Sequence, residues 1–354
     1  MIDRIIDAVS SGERLGDADF QALAAEADLY QLGLLASTVR WRKHPDRVVT
    51  YIIDRNVNYT DICISACKFC AFYVKPESGS GYLLNKEELQ RKIDETLTLG
   101  GTQILLQGGL HPDLPLEYYE DLVSFIKSCG IGVHGFSPPE IHHFGTISGL
   151  PVGAVLDRLL AAGLDSIPGG GAEILSDRVR NLVAPRKCSA DQWLEVMETA
   201  HQKGVRTTAT MMFGHVETLE ERLEHLRRLR ELQDRTEGFT AFIPWPFQSA
   251  HTALVETRAS FRTSGWEYLR MLALSRIYLD NFDNIQASWV TQGAKIAQLS
   301  LHFGANDFGS TMIEENVVAA AGVNFMLSEK EICRLVTEAG FSPKQRLMDY
   351  TELR

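Results

Sequence analysis

Three cysteines occupy one short segment, Cys63-Ile-Ser-Ala-Cys67-Lys-Phe-Cys70. Polar residues lie between and beside them, whereas cysteines used only for packing behave as small hydrophobic residues among apolar neighbours. Three thiolates in one loop can bind one face of a [4Fe–4S] cluster, and an ordinary four-cysteine carrier would need a fourth. The remaining cysteines precede a strand or fall in helices, where they do not obviously supply that ligand: Cys129, Cys188 and Cys333. The spacing therefore predicts a cluster with one iron open to a small ligand.

Two alternatives to a cluster remain for the cysteine segment. The three cysteines could be buried packing residues. They could instead bind zinc, which needs a fourth ligand that only a distant residue such as His111 or His134 would give.

The cysteine segment follows the first of a series of strand-like runs. Most of these runs are continuously apolar or β-branched, which is typical of parallel strands that are buried on both faces. Seven runs are clear and an eighth is weaker: 48–54, 102–109, 131–137, 164–170, 206–213, 239–245, 285–290 and, weaker, 306–311.

Helical segments with clear start signals separate these runs. Asn85, Ser189, Thr218 and Ser328 are each followed three residues later by Glu or Gln, which is the spacing of a capping box. Seven or eight strand–helix units favour a (β/α)8 barrel of the TIM type, closed or nearly closed. An open doubly wound sheet is the alternative, but the glycine-rich fingerprints of its nucleotide-binding forms are missing.

The barrel is predicted over residues 47–350, and residues 1–46 are predicted to form an N-terminal helical cap. Apolar positions recur at helical spacing over 2–45, and Gly12 and Gly16 separate a short first helix from a second. We expect this region to pack outside the barrel.

The composition excludes several classes of function. The chain has 354 residues, is 45% hydrophobic and carries a formal net charge of −11, which argues against a nucleic-acid-binding face. No apolar run approaches the roughly 18 residues that suggest a membrane span. Few cysteines and no signal-peptide pattern favour reduced thiols and a cytoplasmic location.

The cysteine segment, with Phe69 before its last cysteine, resembles the signature of the radical S-adenosylmethionine (radical SAM) superfamily of oxidoreductases. Further stretches resemble its branch of menaquinone and deazaflavin-cofactor enzymes, and within that branch the family that cyclises dehypoxanthine futalosine. These stretches are FSPPEI (136–141), SIPGGGAEIL (166–175), TTATMMFGHVET (207–218), FTAFIPWPFQ (239–248), IQASWVTQG (285–293) and GANDFGSTMIEENVV (304–318).

The resemblance implies a cofactor set and a reaction. Cys63, Cys67 and Cys70 would hold a [4Fe–4S] cluster whose open iron binds S-adenosylmethionine (SAM), and an external reductant such as a flavodoxin or ferredoxin would supply one electron. The resulting 5′-deoxyadenosyl radical would take hydrogen from the ribose C4′ of dehypoxanthine futalosine. The C4′ radical would add to the benzoate ring, and loss of one electron and one proton would complete the cyclisation in menaquinone biosynthesis.

Three alternatives to this activity remain. The chain could be an aminofutalosine synthase or a subunit of the deazaflavin-cofactor synthase, which are sister radical SAM enzymes. It could also be a passive iron–sulfur or zinc-binding protein without turnover. Cys129 and Cys188 are not placed to hold a second cluster, which disfavours sulfur insertion of the biotin synthase kind.

The resemblance also implies residues that contact SAM. Each of these positions could equally have an ordinary structural role, as a core aromatic residue, a strand-ending turn or a charged residue on a helix surface. The implied residues are Phe69, Gln107, Gly108, Gly109, Glu173 and Arg178.

Substrate contacts are expected at strand ends, as apolar walls and hydroxyl or amide donors. His215 and His134 are the candidates for removing the ring proton, because an unperturbed histidine titrates near neutrality. Either histidine could instead satisfy a nearby backbone group. The expected substrate contacts are Ser137, Phe242, Trp245, Phe247, Ser288, Thr291, Gln292 and Asp307.

Overall fold

The described part of the chain contains ten strands, all parallel in their ladders, most of which form the centre of the molecule. The computed structural model describes residues 2–257 and 263–353. The strands are β1 (Val48–Ile52), β2 (Asp54–Asn58), β3 (Gln103–Gln107), β4 (Gly132–Gly135), β5 (Ser166–Ile167), β6 (Arg206–Phe213), β7 (Phe239–Pro246), β8 (Asn284–Ile285), β9 (Asp307–Ser310) and β10 (Ser342–Gln345).

Among the described strands, β1 to β9 form a barrel with eight strand positions. One sheet has the order β2-β3-β4-β5-β6-β7-β8, and a second has the order β10-β1-β9. β1 and β2 are successive parts of one strand, separated only by Ile53, so they join the two sheets at one side. At the other side Gln286 and Asp307 form a parallel bridge, and the Ala287 N–H donates to the Asp307 carbonyl at 2.9 Å. The predicted TIM-type barrel is confirmed and is nearly closed, since this second seam is a bridge rather than a ladder.

Helices surround the strands in alternation with them. Two short 3-10 segments, Pro76–Ser78 and Ala253–Thr257, lie in connecting loops. The helices are α1 (Ile2–Ser11), α2 (Asp17–Glu26), α3 (Leu29–Lys43), α4 (Lys86–Thr98), α5 (Leu116–Ser128), α6 (Pro138–Ser148), α7 (Val152–Ala162), α8 (Asp177–Val183), α9 (Ala190–Gln202), α10 (Leu219–Thr236), α11 (Gly265–Tyr278), α12 (Trp289–Ser300), α13 (Val317–Ala320) and α14 (Glu329–Glu338).

The four predicted helix starts are confirmed. The side chains of Ser189, Thr218 and Ser328 accept from the backbone N–H three residues later, and a reciprocal bond completes each capping box. Asn85 likewise accepts from the Glu88 N–H at the start of α4. These bonds satisfy N–H groups that have no partner inside the helix.

The N-terminal region contains three helices rather than the predicted two. Asp28 accepts from the Gln31 N–H and begins α3, so the helical pattern is interrupted between α2 and α3. Side chains of α3 such as Leu32 and Ala36 are buried in the same hydrophobic core as the barrel helices. The division between cap and barrel at residue 46 therefore stays a prediction.

Two further elements differ from the sequence expectation. The run 285–290 contains only a short strand, because Trp289 already begins α12. β10 pairs with β1 outside the barrel ring, and its sequence Ser-Pro-Lys-Gln alternates between exposed and half-buried positions. Such a polar edge strand has no apolar run that would predict it.

No single helix in the described part of the chain is long and apolar enough to cross a membrane. The pair α6 and α7 passes that length and composition test only jointly, and the two helices are bent by 106°.

Candidate active site

The three clustered cysteines line one cavity at the carboxyl ends of the strands. The loop after β2 carries Cys63, Cys67 and Cys70, and their side chains border a space of about 230 Å³. We call this space the cysteine cavity. Other residues that line it are Phe69, Gln107, Gly108, Gly109, Ser137, Glu173 and Lys187.

Hydrogen-bond donors surround the cysteine sulfurs. The N–H groups of Ser65 and Leu110 donate to Cys63 Sγ at 3.4 and 3.3 Å. Burial raises the pKa of the Cys67 thiol to about 11, while Lys187 and a hydroxyl contact at 3.1 Å from Ser65 act in the opposite direction. Burial thus opposes the thiolate form of Cys67, and the donors around the sulfurs stabilise the thiolates that metal binding requires.

This arrangement fits a cluster better than a single metal ion. Each cysteine of a cluster binds a different iron, whereas one zinc ion needs its ligands gathered around one point. In residues 2–257 and 263–353, no three His, Cys, Asp or Glu side chains are gathered closely enough to hold one ion. His111 and His134, the possible fourth zinc ligands, do not line the cysteine cavity in the part of the chain described. The donor set is thus three cysteines and no histidine.

Two glycines at the end of β3 let the chain pass close to the cysteine loop. A Cβ on Gly109 would lie 2.1 Å from the Ile62 carbonyl oxygen, and one on Gly108 would lie 2.5 Å from the Tyr59 ring. Only glycine fits where two backbone segments approach this closely. Gly108 and Gly109 line the cysteine cavity as expected, and their contact with SAM stays a prediction.

The carboxylate of Glu140 connects different walls of the cysteine cavity through hydrogen bonds. It accepts from the Tyr59 hydroxyl at 2.7 Å and from the Gly108 N–H at 3.0 Å. Its other oxygen accepts from the Ser137 N–H at 2.7 Å and the Ser137 hydroxyl at 2.6 Å. Ser137 therefore lines the cavity but donates its hydroxyl proton to Glu140 at the start of α6.

Glu173 forms a buried ion pair beside the cysteines. Its backbone φ is +42°, a left-handed conformation that is uncommon for a residue other than glycine. Lys187 Nζ lies 2.7 Å from Glu173 Oε1 and 5.1 Å from the centre of the Phe69 ring. The ammonium group lowers the pKa of Glu173 against the opposing effect of burial. The pair places one negative and one positive group at the edge of the cavity.

A second cavity of about 300 Å³ fills the barrel interior, and we call it the barrel cavity. Trp245 and Ile243 of β7 form part of its apolar wall, and Asp54 and Asn56 of β2 give polar groups. The two cavities adjoin, because four residues line both: Gln107, Gly170, Trp245 and Val317. A molecule in the barrel cavity can therefore reach a group held in the cysteine cavity.

Several expected substrate contacts line these cavities. Trp245 lies at their junction, and Ser288 and Thr291 lie at the start of α12 with their hydroxyl oxygens 2.8 Å apart. Their roles in substrate binding stay predictions.

Two expected aromatic contacts point elsewhere, which corrects the sequence expectation. Phe242 is fully buried and packs against His225 of α10 and against Phe282. It faces the helices because alternate residues of β7 point to opposite sides, and the interior side belongs to Ile243 and Trp245. Phe247 packs against the ring of His215 and lines neither cavity in the described part of the chain.

Three polar residues also lie outside both cavities, within the residues that the structure describes. Arg178 is half exposed and pairs with Glu221 of α10. Gln292 donates to the Thr291 carbonyl. Asp307 is fully buried at the start of β9 and accepts from the Arg346 guanidinium, so its charge is already compensated.

Neither histidine titrates as expected. His215 donates from Nε2 to the Met212 carbonyl at 2.9 Å and lies beside Glu217, and burial lowers its pKa. His134 does line the barrel cavity, but burial lowers its pKa to about 3. An unperturbed pKa near neutrality is therefore the wrong assumption for both.

Glu140 and Lys187 are among the site residues that the sequence interpretation does not include. Glu140 is detectable in principle, because Ser137-Pro-Pro-Glu140 has capping-box spacing. Lys187 is not, since its partner Glu173 is fourteen positions away across an irregular loop and a helix.

Comparisons with known proteins agree with this geometry. The sequence profile of the radical SAM superfamily matches residues 57–229, and that of the CofH/MqnC C-terminal region matches residues 236–354. The chain is 44% identical to a cyclic dehypoxanthine futalosine synthase of Halalkalibacterium halodurans, over 100% of this chain and 95% of that protein.

Two relatives bear other names. An aminodeoxyfutalosine synthase of Thermus thermophilus is 42% identical over 99% of this chain and 95% of its own length. A 5-amino-6-(D-ribitylamino)uracil–L-tyrosine 4-hydroxyphenyl transferase of Archaeoglobus fulgidus is 44% identical over 84% of this chain and 87% of its own length.

Solved structures share the barrel. The maturase HydG from Carboxydothermus hydrogenoformans superposes with a TM-score of 0.77 at 19% identity, covering 99% of this chain and 80% of that chain. At this identity the likeness concerns the fold alone. The profiles and the full-length relatives identify the chain as an enzyme of the radical SAM superfamily, in the group that carries the CofH/MqnC C-terminal region.

Proposed function

We propose that the protein cyclises dehypoxanthine futalosine by radical SAM chemistry, as a step of menaquinone biosynthesis. The observation that carries this proposal is the junction of the two cavities at Gln107, Gly170, Trp245 and Val317. It lets a substrate inside the barrel meet a group held by the cysteines. The full-length similarity to a cyclic dehypoxanthine futalosine synthase selects the substrate.

The cysteine cavity is the proposed site of the cofactors. Cys63, Cys67 and Cys70 would hold a [4Fe–4S] cluster. In its reduced state such a cluster would supply the electron that cleaves SAM. Gly108 and Gly109 leave room for the methionine part of SAM, Gln107 faces the same cavity, and the Phe69 ring would border the adenine. Glu173 would accept hydrogen bonds from ribose hydroxyls or the amino group.

The barrel cavity is the proposed site of the substrate. Trp245 and Ile243 give an apolar wall for the benzoate ring, while Ser288 and Thr291 give hydroxyl donors. Enclosure by the barrel excludes water and other hydrogen donors from a reactive carbon centre. Ser137 borders the cysteine cavity from the start of α6.

The proposal includes an electron donor outside the chain, such as a flavodoxin or ferredoxin. It also includes a cytoplasmic location, because that compartment keeps thiols reduced and available for a cluster.

The test is anaerobic turnover after reconstitution with iron and sulfide. The protein is incubated with SAM, dithionite and one of three substrate sets: dehypoxanthine futalosine, the aminofutalosine precursor, or ribitylaminouracil with tyrosine. Mass spectrometry is expected to find 5′-deoxyadenosine and a product with the carbon count of dehypoxanthine futalosine and two fewer hydrogens. Turnover of only another set would replace the proposed substrate.

Two cysteine variants test the cofactor site. Cys67→Ser is expected to lose bound iron and all 5′-deoxyadenosine formation, while its circular dichroism spectrum stays that of a folded protein. Cys129→Ser is the matched control, since Cys129 lies at the end of α5 and its thiol contacts Gln90 and the Phe125 carbonyl. Retained SAM cleavage in Cys67→Ser, or one zinc per chain in the wild type, would contradict the proposal.

A further inference from the structure

His134 lies on β4 inside the barrel and lines the barrel cavity. It is 8% exposed, and its neighbours in register are Leu105 on β3 and Ser166 on β5. His134 is therefore a largely buried residue at the wall of this cavity.

The hydrogen bond between His134 and Ser166 determines where the imidazole proton lies. His134 Nδ1 and Ser166 Oγ are 2.5 Å apart, and Ser166 is fully buried. Among the described residues this is the one hydrogen bond of the Ser166 hydroxyl. A buried hydroxyl proton needs an acceptor, so Ser166 donates and Nδ1 accepts. The proton of a neutral His134 is therefore on Nε2.

His134 is neutral in this environment. Burial lowers its pKa to about 3, and the charge of Arg346 acts in the same direction. A neutral imidazole with Nδ1 occupied has one free function, which is the Nε2–H donor. Among the described residues His134 is hydrogen-bonded at Nδ1 and not at Nε2, and the residue lines the barrel cavity.

Tyr350 forms part of the wall of the same cavity. Its hydroxyl is buried and has no hydrogen-bond partner in the part of the chain that is described. Tyr350 lines the barrel cavity together with Arg346, whose guanidinium carbon lies 4.0 Å from the centre of the Tyr350 ring. The Tyr350 hydroxyl has almost no accessible surface, whereas the Nε2–H of His134 is a donor at an apolar cavity and calls for an oxygen acceptor on the ligand.

We propose that His134 binds an acceptor oxygen of the substrate through its Nε2–H and is a specificity residue rather than the base that removes the ring proton. This inference rests on the proposed function, because it gives the barrel cavity a radical-reaction substrate that carries carbonyl, carboxylate and hydroxyl oxygens. The hydroxyl of Ser166 fixes the tautomer and thereby the direction of the bond.

The tautomer is tested by NMR without any substrate. The protein is labelled with ¹⁵N-histidine, and His134→Gln identifies the signals of His134 by their loss. We expect an Nε2 that carries hydrogen and an Nδ1 that does not, in a pattern that stays unchanged between about pH 6 and pH 8. A proton on Nδ1 would overturn the proposal.

The binding role is tested by substrate affinity and turnover in the reconstituted enzyme with SAM. His134→Leu is expected to weaken substrate binding about 10-fold, the loss of one buried hydrogen bond. His134→Gln, which keeps an N–H donor, is expected to recover most of the affinity and the turnover. A base would behave differently: both variants would lose turnover with substrate affinity unchanged, and that result would overturn the proposal.

Substrate analogues identify the oxygen. Analogues lacking the carboxylate or the keto group are titrated into the wild type and His134→Leu, and the one lacking the partner oxygen should bind both equally. If the wild type turns over only a sister substrate, the proposed function fails and the same variants are measured with that substrate. The NMR result is independent of that outcome.

Discussion

Lys187 and Glu173 face each other at the edge of the cysteine cavity, and neither has much solvent around it. Their side chains are 17% and 4% exposed, and Nζ lies 2.7 Å from Oε1. The same ammonium group opposes the rise that burial causes in the pKa of Cys67. Lys187 therefore compensates a carboxylate and favours a thiolate at once, which makes its charge important both for folding and for holding iron.

Lys187→Met should destabilise the metal-free protein by about 3 kcal/mol, because it leaves a buried carboxylate without its cation. Urea unfolding measures this change. Lys203→Met is the control: Lys203 pairs with Asp157, whose side chain is 66% exposed, and such surface pairs contribute at most about 1 kcal/mol. Equal losses of unfolding free energy in the two variants would contradict the prediction that the buried Lys187 pair matters more than a surface pair.

The same pair gives this prediction a pH dependence. Lys187 lowers the pKa of Glu173, so the stability due to that carboxylate is present above its unfolded value near about 4.3 and is lost as pH falls. The pKa of Lys187 is raised, so the stability that its ammonium group contributes is retained up to about pH 10. The difference between wild type and Lys187→Met should be largest between neutral pH and about pH 10. It should shrink as the pH falls below neutrality, because the buried Glu173 of the variant, without its cation, is protonated before that of the wild type.

The limits of sequence interpretation are clearest at single residues. The cysteine positions follow from spacing alone, and all three line one cavity. In the sequence, Phe242 and Trp245 look equally suitable as cavity walls. Only the structure shows that Trp245 faces the cavity and that Phe242 faces the surrounding helices. Lys187 depends on a tertiary contact that no local pattern encodes.

Among the elements, buried strands are the most predictable. β6 and β7 are long runs rich in apolar and β-branched residues, because both faces of a barrel strand are covered. β2 is hard to recognise as a continuation of β1, since Asp54, Asn56 and Asn58 alternate toward the interior and make the sequence look like a loop. The polar face that hides the strand is also the face that supplies polar groups to the cavities.

The end of β3 and the cysteine loop must touch for the site to form. Gly109→Ala would place a Cβ 2.1 Å from the Ile62 carbonyl oxygen, which forces the loop away from β3. We expect reconstituted Gly109→Ala to bind less than half of the wild-type iron and to make correspondingly less 5′-deoxyadenosine. Iron analysis after gel filtration checks the first effect and chromatography the second.

Gly153→Ala is the matched control for this variant. Gly153 lies in α7, and its added Cβ would meet its nearest neighbours only at 3.9 Å. Alanine in a helix should stabilise the protein by about 0.5–1 kcal/mol and leave iron binding unchanged. Full iron binding by Gly109→Ala would show that the close approach is dispensable.

At the scale of the whole molecule, the C-terminal segment packs onto the barrel beside its weaker seam. β10 pairs with β1, and the next residue, Arg346, turns into the barrel. There the guanidinium binds both carboxylate oxygens of Asp307, which also accepts from the Thr50 hydroxyl. One buried ion pair thus connects the chain's end, β1 and β9, next to the seam where the ring of strands has only a bridge.

Arg346→Met should destabilise the protein by about 3–5 kcal/mol, because the Asp307 carboxylate stays buried without its cation. Asp307→Asn added to Arg346→Met removes that charge, so the double variant should be more stable than Arg346→Met alone. Arg334→Met, which breaks an exposed pair with Glu338 on α14, should cost no more than about 0.5 kcal/mol. Urea unfolding gives the free energy of unfolding of the three variants. It distinguishes a buried charge beside the barrel seam from a charge on the protein surface. A double variant as unstable as Arg346→Met would mean that packing of the arginine side chain, and not its charge, holds the C-terminal segment against the seam.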